Sequence, residues 1–211
     1  MGPERKGGMM FAQVIQGRTN DPTAVWKCME EWDRTVKPGA QGFLGSTAGV
    51  SDDGEFIAVA RFESDDVART NSDRPEQSKW WSDTEKHLEG EVRFYDCTEV
   101  EVQWGGGSDN AGFVQVIQGR LENEEQKAQW RRAEADAEEW LRANRPDLIG
   151  SVRAWQGTNF SDFIYFSSEE EARAGEQKQP PAGSEGSAED WMAHIEDLKF
   201  IDLRKPFFSS P

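Results

Sequence analysis

The chain has 211 residues, of which 36% are hydrophobic and 11% aromatic, and its formal net charge is −16 at pH 7. A surface of that sign repels phosphate backbones and anionic lipid headgroups, so neither nucleic acid nor a membrane is expected as a partner. Nine Trp and twelve Phe exclude an intrinsically disordered chain and predict an aromatic-rich core. No apolar run approaches the roughly 18 residues of a membrane span, and the first ten residues lack a secretory signal, so we expect a cytoplasmic protein.

The first predicted strand occurs twice. Phe11–Arg18 reads FAQVIQGR and Phe113–Arg120 reads FVQVIQGR, which is seven identities in eight positions at an offset of 113 − 11 = 102. A near-identical internal repeat indicates two similar domains of roughly 100 residues each. The predicted division is a first domain over 9–104, a Gly-rich linker over 105–112, a second domain over 113–204 and a tail over 205–211 with Phe207 and Phe208.

The first domain alternates strand and helix signals. Asn20 or Asp21 is the expected cap of a helix that Pro22 begins, and Asp53-Gly54 is typical of a hairpin turn. The predicted order is a strand over 11–18, a helix stopped by 37–39, strands over 44–50 and 56–62, helices over 64–71 and 77–88, and a strand over 92–104. In the third strand Phe56 and Ala58 share one face and Ile57 and Val59 the other, so both faces of the sheet should be covered.

The second domain repeats this order with some loss. A helix is predicted over 123–143, a shortened third strand over 162–166 and a final strand over 198–203. A Pro/Gly/Ser-rich insertion falls at 179–187, and Trp191-Met192 corresponds to Trp80-Trp81. The order strand, helix, strand, strand, helix, strand is the ferredoxin-like arrangement, here said twice.

The repeated unit resembles the antibiotic-biosynthesis-monooxygenase-type domain of the dimeric α+β barrel superfamily. The residues that carry the resemblance are 14–16, 42–46, 56–64 and the helix with Trp80-Trp81. The resemblance implies an α+β fold of two tandem ferredoxin-like (βαββαβ) domains that pack sheet to sheet as a pseudo-dimeric barrel within one chain. Further assembly into a homo-oligomer stays open.

The same resemblance suggests a function. The superfamily includes cofactor-independent quinone-forming monooxygenases, heme-degrading oxygenases and small-molecule isomerases. It implies a small-molecule monooxygenase that acts on a hydrophobic aromatic or polyketide-like substrate in a shielded pocket, without a metal or other cofactor. The alternatives are a non-catalytic small-ligand-binding or structural protein and, third, a heme-binding oxygenase.

Five residues are candidates for catalysis: Gln16, Arg61, Trp81, His87 and Tyr165. Heme-degrading members use an Asn on the first strand with a Trp and a His ligand on the last helix, which by element map to Gln16, Trp80 or Trp81, and His87. This sequence departs from that pattern, because Gln replaces Asn, the Trp-to-His spacing is tighter, and the second copy has its histidine, His194, elsewhere. His87 is the heme ligand only if heme binds, and a plain surface or core histidine is its other interpretation.

Each of these polar residues also has a structural interpretation. Buried amides such as Gln13 and Gln16 must find hydrogen-bond partners, and Arg61 could form an ion pair with Asp96. Tyr165 takes the place of Arg61 in the second copy, since 165 − 61 = 104. The only cysteines, Cys28 and Cys97, are expected to be buried free thiols, and two histidines with two cysteines supply no zinc ligand set.

Overall fold

The computed structural model describes residues 10–178 and 192–211. The predicted insertion 179–187 and the Trp191 match to Trp80 lie outside these residues. The described chain forms two compact units: a first unit that runs to Val100 and includes Phe207–Pro211, and a second unit, Glu101–Pro206. No helix in the described part is long and apolar enough to cross a membrane.

The first unit follows the predicted order of elements. Asp21 caps the first helix by accepting a hydrogen bond from the Ala24 amide (3.0 Å), and Ser64 caps the second through the Val67 amide (3.3 Å). Its elements are β1 (Phe11–Arg18), α1 (Pro22–Thr35), β2 (Phe43–Val50), β3 (Glu55–Phe62), α2 (Asp65–Ser72), α3 (Pro75–Thr84) and β4 (Glu89–Cys97). Gly54 closes the β2–β3 hairpin at φ +83°, a backbone conformation that favours glycine.

The second unit repeats the arrangement, with Asn123 as the cap of its first helix. Its elements are β5 (Glu99–Gln103, which enters this unit at Glu101), β6 (Phe113–Arg120), α4 (Glu124–Asn144), β7 (Leu148–Gln156), β8 (Asn159–Phe166), α5 (Glu169–Glu176) and β9 (Glu196–Leu203). The expected shortening of its third strand is wrong: β8 has eight residues, as β3 has, because the turn at Gly157 (φ +63°) lets pairing start at Asn159 opposite Gln156.

Both sheets are antiparallel. With the C-terminal strand β10 (Phe207–Ser209) included, their orders are β10-β2-β3-β1-β4 and β5-β7-β8-β6-β9. Four strands of each sheet have the ferredoxin-like order, with β1 between β3 and β4 and with β6 between β8 and β9. The α+β class and the two tandem ferredoxin-like domains are therefore confirmed. The packing of one domain against the other stays a prediction.

The strand predicted over 92–104 is wrong as a single element. It breaks at Thr98 into β4, at the edge of the first sheet, and β5, at the edge of the second. The carboxylate of Glu101 on β5 explains the second placement, since it accepts hydrogen bonds from Arg131 and Trp155 of the second unit. Similarly, the C-terminal tail forms a strand, β10 (Phe207–Ser209), that pairs with β2 of the first sheet.

Burial on both faces of the first sheet agrees with the pattern of alternating apolar residues. Phe56 and Ala58 lie on the face that packs against α1, whereas Val14, Ile57 and Val59 lie on the opposite face. All five side chains are buried. The aromatic-rich core is confirmed by the rings that fill both units, described next.

Candidate functional site

Two of the predicted site residues, Gln16 and Arg61, lie on the face of the first sheet opposite its helices. Gln16 donates a hydrogen bond from Nε2 to the carboxylate of Glu55, a nearly buried residue at the start of β3. Arg61 donates from Nη2 to the carbonyl oxygen of Leu44 at 3.0 Å. Both polar groups therefore have partners within their own sheet, which is the structural interpretation of these residues.

Trp81 and His87 belong to the other side of the sheet. The indole of Trp81 packs against Trp80 (5.9 Å between ring centroids) and Phe94 (5.1 Å), and Phe94 pairs with Ile15 on the helix-covered face. His87 is exposed in a 3-10 turn after α3, and its carbonyl accepts a hydrogen bond from Thr19. The structure therefore does not bring Trp81 and His87 together with Gln16 and Arg61.

Tyr165 is in the second unit, on β8. It is 1% exposed and lies opposite Val114 of β6, on the face that carries Phe163. Its position corresponds to that of Arg61 in the first unit, as the offset indicates, but a phenol here replaces a guanidinium.

The expected ion pair between Arg61 and Asp96 is wrong. Asp96 lies opposite Gln13 on β1, so it is on the helix-covered face, and Gln13 donates to its Oδ1 at 2.8 Å. The second unit repeats this pair, with Gln115 donating to Asp202 Oδ1 at 3.0 Å. The repeated glutamines thus hold the last strand of each domain to the first.

An apolar layer fills the space between helix and sheet in the first unit. Trp80 donates a hydrogen bond from its indole nitrogen to the Cys28 carbonyl (2.7 Å), which fixes α3 on α1. We use the name apolar layer for the buried residues Val25, Met29, Ala48, Phe56 and Ala58 with the half-buried Ile15, Cys28, Val50, Trp80, Leu88 and Phe207 that pack on them. Aromatic rings extend it: Trp32 lies 6.3 Å from Trp80, and Trp26 lies edge-on to Phe207 at 5.3 Å.

The polar groups of the apolar layer are paired and uncharged. Thr84 is fully buried and donates from its hydroxyl to the Trp80 carbonyl at 2.9 Å. Burial raises the pKa of the Cys28 thiol, which the hydrogen bond with Thr84 only partly offsets, so the thiol is protonated at neutral pH. Burial also raises the pKa of Cys97 to about 12, and both cysteines are free, as predicted, although Cys28 is only half-buried.

The corresponding place in the second unit is charged. Ala48 and Ala58 face each other across β2 and β3, and the equivalent cross-strand pair of β7 and β8 is Arg153 and Asp162. Arg153 Nε donates to Asp162 Oδ2 at 2.9 Å, and Nη1 donates to Glu134 Oε2 of α4 at 2.8 Å. We use the name ionic layer for Arg153, Asp162, Glu134, Arg131 and Glu101 with the indoles of Trp130 and Trp155.

Burial raises the free-energy cost of leaving any charge of the ionic layer unpaired. Arg153 and Asp162 are each 3% exposed. Burial raises the pKa of the Asp162 carboxyl, and the nearby Glu134 charge adds to the rise that Arg153 opposes. The second oxygen of Asp162, Oδ1, has no hydrogen-bond partner. Arg153 also lies over the Trp130 ring, 4.4 Å from its centroid. The guanidinium of Arg153 therefore occupies the space between helix and sheet in the second unit.

Two open grooves lie elsewhere in the second unit. One of about 530 Å³ runs along α4 beside Glu138 and Arg142, and one of about 210 Å³ lies beside Trp104 and Arg145. Arg142 and Arg145 are already bound by Glu138 (2.7 Å) and Asp147 (2.8 Å), so neither groove offers an unused cation to an anionic ligand. In residues 10–178 and 192–211 no group of three or more His, Cys, Asp or Glu is placed to hold a metal ion.

Sequence reasoning missed the ionic layer although the repeat carried its signal. Asp162 follows Ala58 by 162 − 58 = 104 residues, the same offset that relates Tyr165 to Arg61. A charged residue at a position that the first copy fills with alanine marks a difference in the core. Comparing the two copies face by face would have revealed it.

Comparisons with known proteins establish the fold. No protein-family model and no curated protein sequence matches the chain. A structure from Lactobacillus acidophilus NCFM, described provisionally as a monooxygenase, is 10% identical over 96% of both chains with a TM-score of 0.73. One from Fusobacterium nucleatum subsp. nucleatum ATCC 25586, described in the same way, is 11% identical over 96% of this chain and 95% of that chain (TM-score 0.74). An anthrone oxidase-like protein is 12% identical over 96% and 94% (TM-score 0.63). The chain therefore has the fold of these proteins over nearly its whole length, as the resemblance implied.

Proposed function

We propose that the protein is a small-molecule monooxygenase that binds a hydrophobic aromatic substrate in the apolar layer of its first unit. The observation that carries this proposal is the pair Ala48 and Ala58. Two small side chains face α1 there, where the second unit has a buried Arg153 and Asp162. An apolar layer with aromatic walls suits a planar apolar ligand, whereas the ionic layer would have to lose its ion pairs to admit one.

The fold supports the reaction class, and one structural neighbour suggests a substrate. An anthrone is a tricyclic aromatic ketone with an activated methylene carbon, which is the kind of flat apolar molecule that indole rings stack on. In the reaction, dioxygen supplies one atom to that carbon as a carbonyl oxygen. The other oxygen atom leaves as water with the two methylene hydrogens, so the equation balances without an external reductant.

Residues in the apolar layer and at its border would contact the substrate in different ways. Trp80 and Trp81 supply ring surfaces, and Cys28, as a neutral thiol, supplies a weak hydrogen-bond donor. Of the five predicted catalytic residues, Trp81 borders this layer. Gln16, Arg61 and Tyr165 remain predictions for the opposite sheet faces, where single alanine variants would test them.

A non-catalytic binding protein is the second candidate. It is favoured by the composition of the apolar layer, whose members include no charged residue that could act as a base. The apolar layer offers heme no histidine ligand, since His87 is exposed in the turn after α3 and is not a member of the layer. A heme titration of the purified protein is therefore expected to give no Soret shift that depends on His87.

The test is turnover of anthrone under air, measured as oxygen uptake and quinone absorbance, together with anthrone binding measured by quenching of tryptophan fluorescence under nitrogen. We expect saturable binding and an oxygen uptake above the buffer rate. Ala58→Leu should reduce both at least tenfold, because the larger side chain fills the layer. Binding with unchanged oxygen uptake would favour the non-catalytic candidate.

The matched control is Ala154→Leu in β7, a 1% exposed alanine on the face of the second sheet opposite Arg153. Both substitutions overpack a buried strand position and should destabilise by a similar amount, about 1–3 kcal/mol. The proposal fails if Ala154→Leu reduces anthrone binding as much as Ala58→Leu, or if neither changes it.

A further inference from the structure

The C-terminal strand β10 forms the outer edge of the first sheet with only three residues. Phe207 pairs opposite Ala48, Phe208 opposite Thr47 and Ser209 opposite Ser46. Few ladder hydrogen bonds hold so short a strand, so β10 can open locally without unfolding the unit. No other edge of the first sheet borders the apolar layer with so short an element.

Phe207 is the member of the apolar layer that β10 contributes. Its half-buried ring packs on the layer and meets Trp26 of α1 edge-on at 5.3 Å. As the cross-strand neighbour of Ala48, it shares a face with that small side chain and covers its flank. The ring therefore closes the layer at the C-terminal edge of the sheet.

Polar contacts fasten the end of β10 to α1. Ser209 donates from its hydroxyl to the Asp33 carboxylate, and Lys37 bridges Asp33 Oδ1 (2.7 Å) and the Ser210 carbonyl (3.1 Å). Gly45, at φ +114°, lets the strand approach, since a Cβ there would lie 3.3 Å from the Ser209 carbonyl oxygen. Lys37 and Asp33 are partly solvent-exposed, so these contacts hold β10 in place only weakly.

We infer that Phe207 is a movable wall of the apolar layer: β10 opens to admit the ligand, and the Phe207 ring limits how many fused rings fit beside Ala48. The part of this inference that concerns ligand size rests on the proposed function. The part that concerns opening does not, and it is tested without a ligand.

The first measurement is amide hydrogen exchange of the ligand-free protein. We expect the β10 amides to exchange at least a hundredfold faster than those of the central strands β1 and β3. Equal protection of β10 and β3 would overturn the movable wall, whether or not any ligand binds.

The second measurement compares the affinity of two-ring, three-ring and four-ring aromatic ketones for the wild type, Phe207→Ala and Phe208→Ala. Phe208 is the matched control because it is the same residue type on the same strand but on the opposite face. We expect Phe207→Ala to gain at least tenfold in affinity for the four-ring ketone relative to the two-ring ketone, with no such gain in Phe208→Ala.

An equal gain in the two variants, or no gain in either, would overturn the role of Phe207 in ligand size. If none of the three proteins binds any ketone while β10 exchanges fast, the proposed function fails and the mobile strand stands.

Discussion

The apolar layer of the first unit and the ionic layer of the second fill the same place in two copies of one fold by opposite means. The helix caps Asp21 and Asn123 set the helix offset at 123 − 21 = 102. Four matched positions differ in kind: Val25 and Lys127, Met29 and Arg131, Ala48 and Arg153, Ala58 and Asp162. In both units side chains fill the volume between helix and sheet. Whether those side chains are apolar or charged decides whether an apolar ligand can bind among them.

The largest effect is expected from breaking the ionic layer on one side. Asp162→Ala leaves Arg153 without its cross-strand partner, and removing one member of a buried ion pair costs about 3–5 kcal/mol of unfolding free energy. The double variant Arg153→Ala/Asp162→Ala recreates the alanine pair of the first unit and should cost less than the sum of the two single variants. Urea unfolding of the three variants measures the coupling; additive losses would contradict a coupled pair.

A smaller effect is expected from removing one indole hydrogen bond in each layer. Trp130 donates to the Glu134 carboxylate and Trp80 donates to the Cys28 carbonyl, both at 2.7 Å. A bond to a charged group is worth more, so Trp130→Phe should cost about 1.5 kcal/mol and Trp80→Phe about 1 kcal/mol. The difference between these two losses of unfolding free energy should narrow at high salt, because salt screens the charge of Glu134. Urea unfolding at low and high salt measures it, and equal costs at low salt would argue against the distinction.

The smallest effect concerns the pH dependence of β10. Burial would raise the pKa of Asp33, but the hydrogen bonds from Lys37 and Ser209 outweigh it and hold that pKa below its usual value of 3.8. The contribution of Asp33 to β10 attachment is therefore fully present above pH 3.8 and is lost as the pH falls through the lower folded value.

Protection factors of the β10 amides should accordingly stay constant from pH 7 to about 5 and fall in acid. Asp33→Asn should show lower protection at neutral pH and little further loss in acid. A wild-type protection factor that rises on acidification would contradict the assigned direction.

Local sequence signals predicted most of the fold. The repeated FAQVIQGR segment located β1 and β6, Asp53-Gly54 located the β2–β3 hairpin, and Asp21 with Pro22 located the start of α1. These succeed because turn and cap chemistry depends on neighbouring residues. The division of 92–104 into β4 and β5 could not be predicted, since the edge strand on which Glu101 lies is chosen by Arg131 and Trp155, far along the chain.

The site was less predictable because a strand's register decides its faces. Arg61 and Asp96 were paired in sequence reasoning, yet Asp96 lies opposite Gln13 and Arg61 lies opposite Ala12, one position away. A shift of one residue moves a side chain to the other face. Trp81 and Gln16 share a domain but not a site, because Trp81 is on α3 and Gln16 is on the sheet face that α3 does not cover. Register comes from long-range pairing, which composition and periodicity do not specify.

The edge strands β5 and β10 determine where the chain can be cut into fragments, because β5 belongs to the second sheet and β10 to the first. A fragment that ends at residue 104, where the repeat suggests a boundary, keeps β5, whose pairing partner is β7, and discards β10, which completes the first sheet. The complementary fragment would display a bare edge on β7, an invitation to aggregation. A fragment in which a short flexible linker joins residue 98 to 207–211 would contain all the strands of the first sheet, whereas a fragment cut at the repeat boundary would not. The strand order, and not the boundary of the repeat, therefore determines where this chain can be divided.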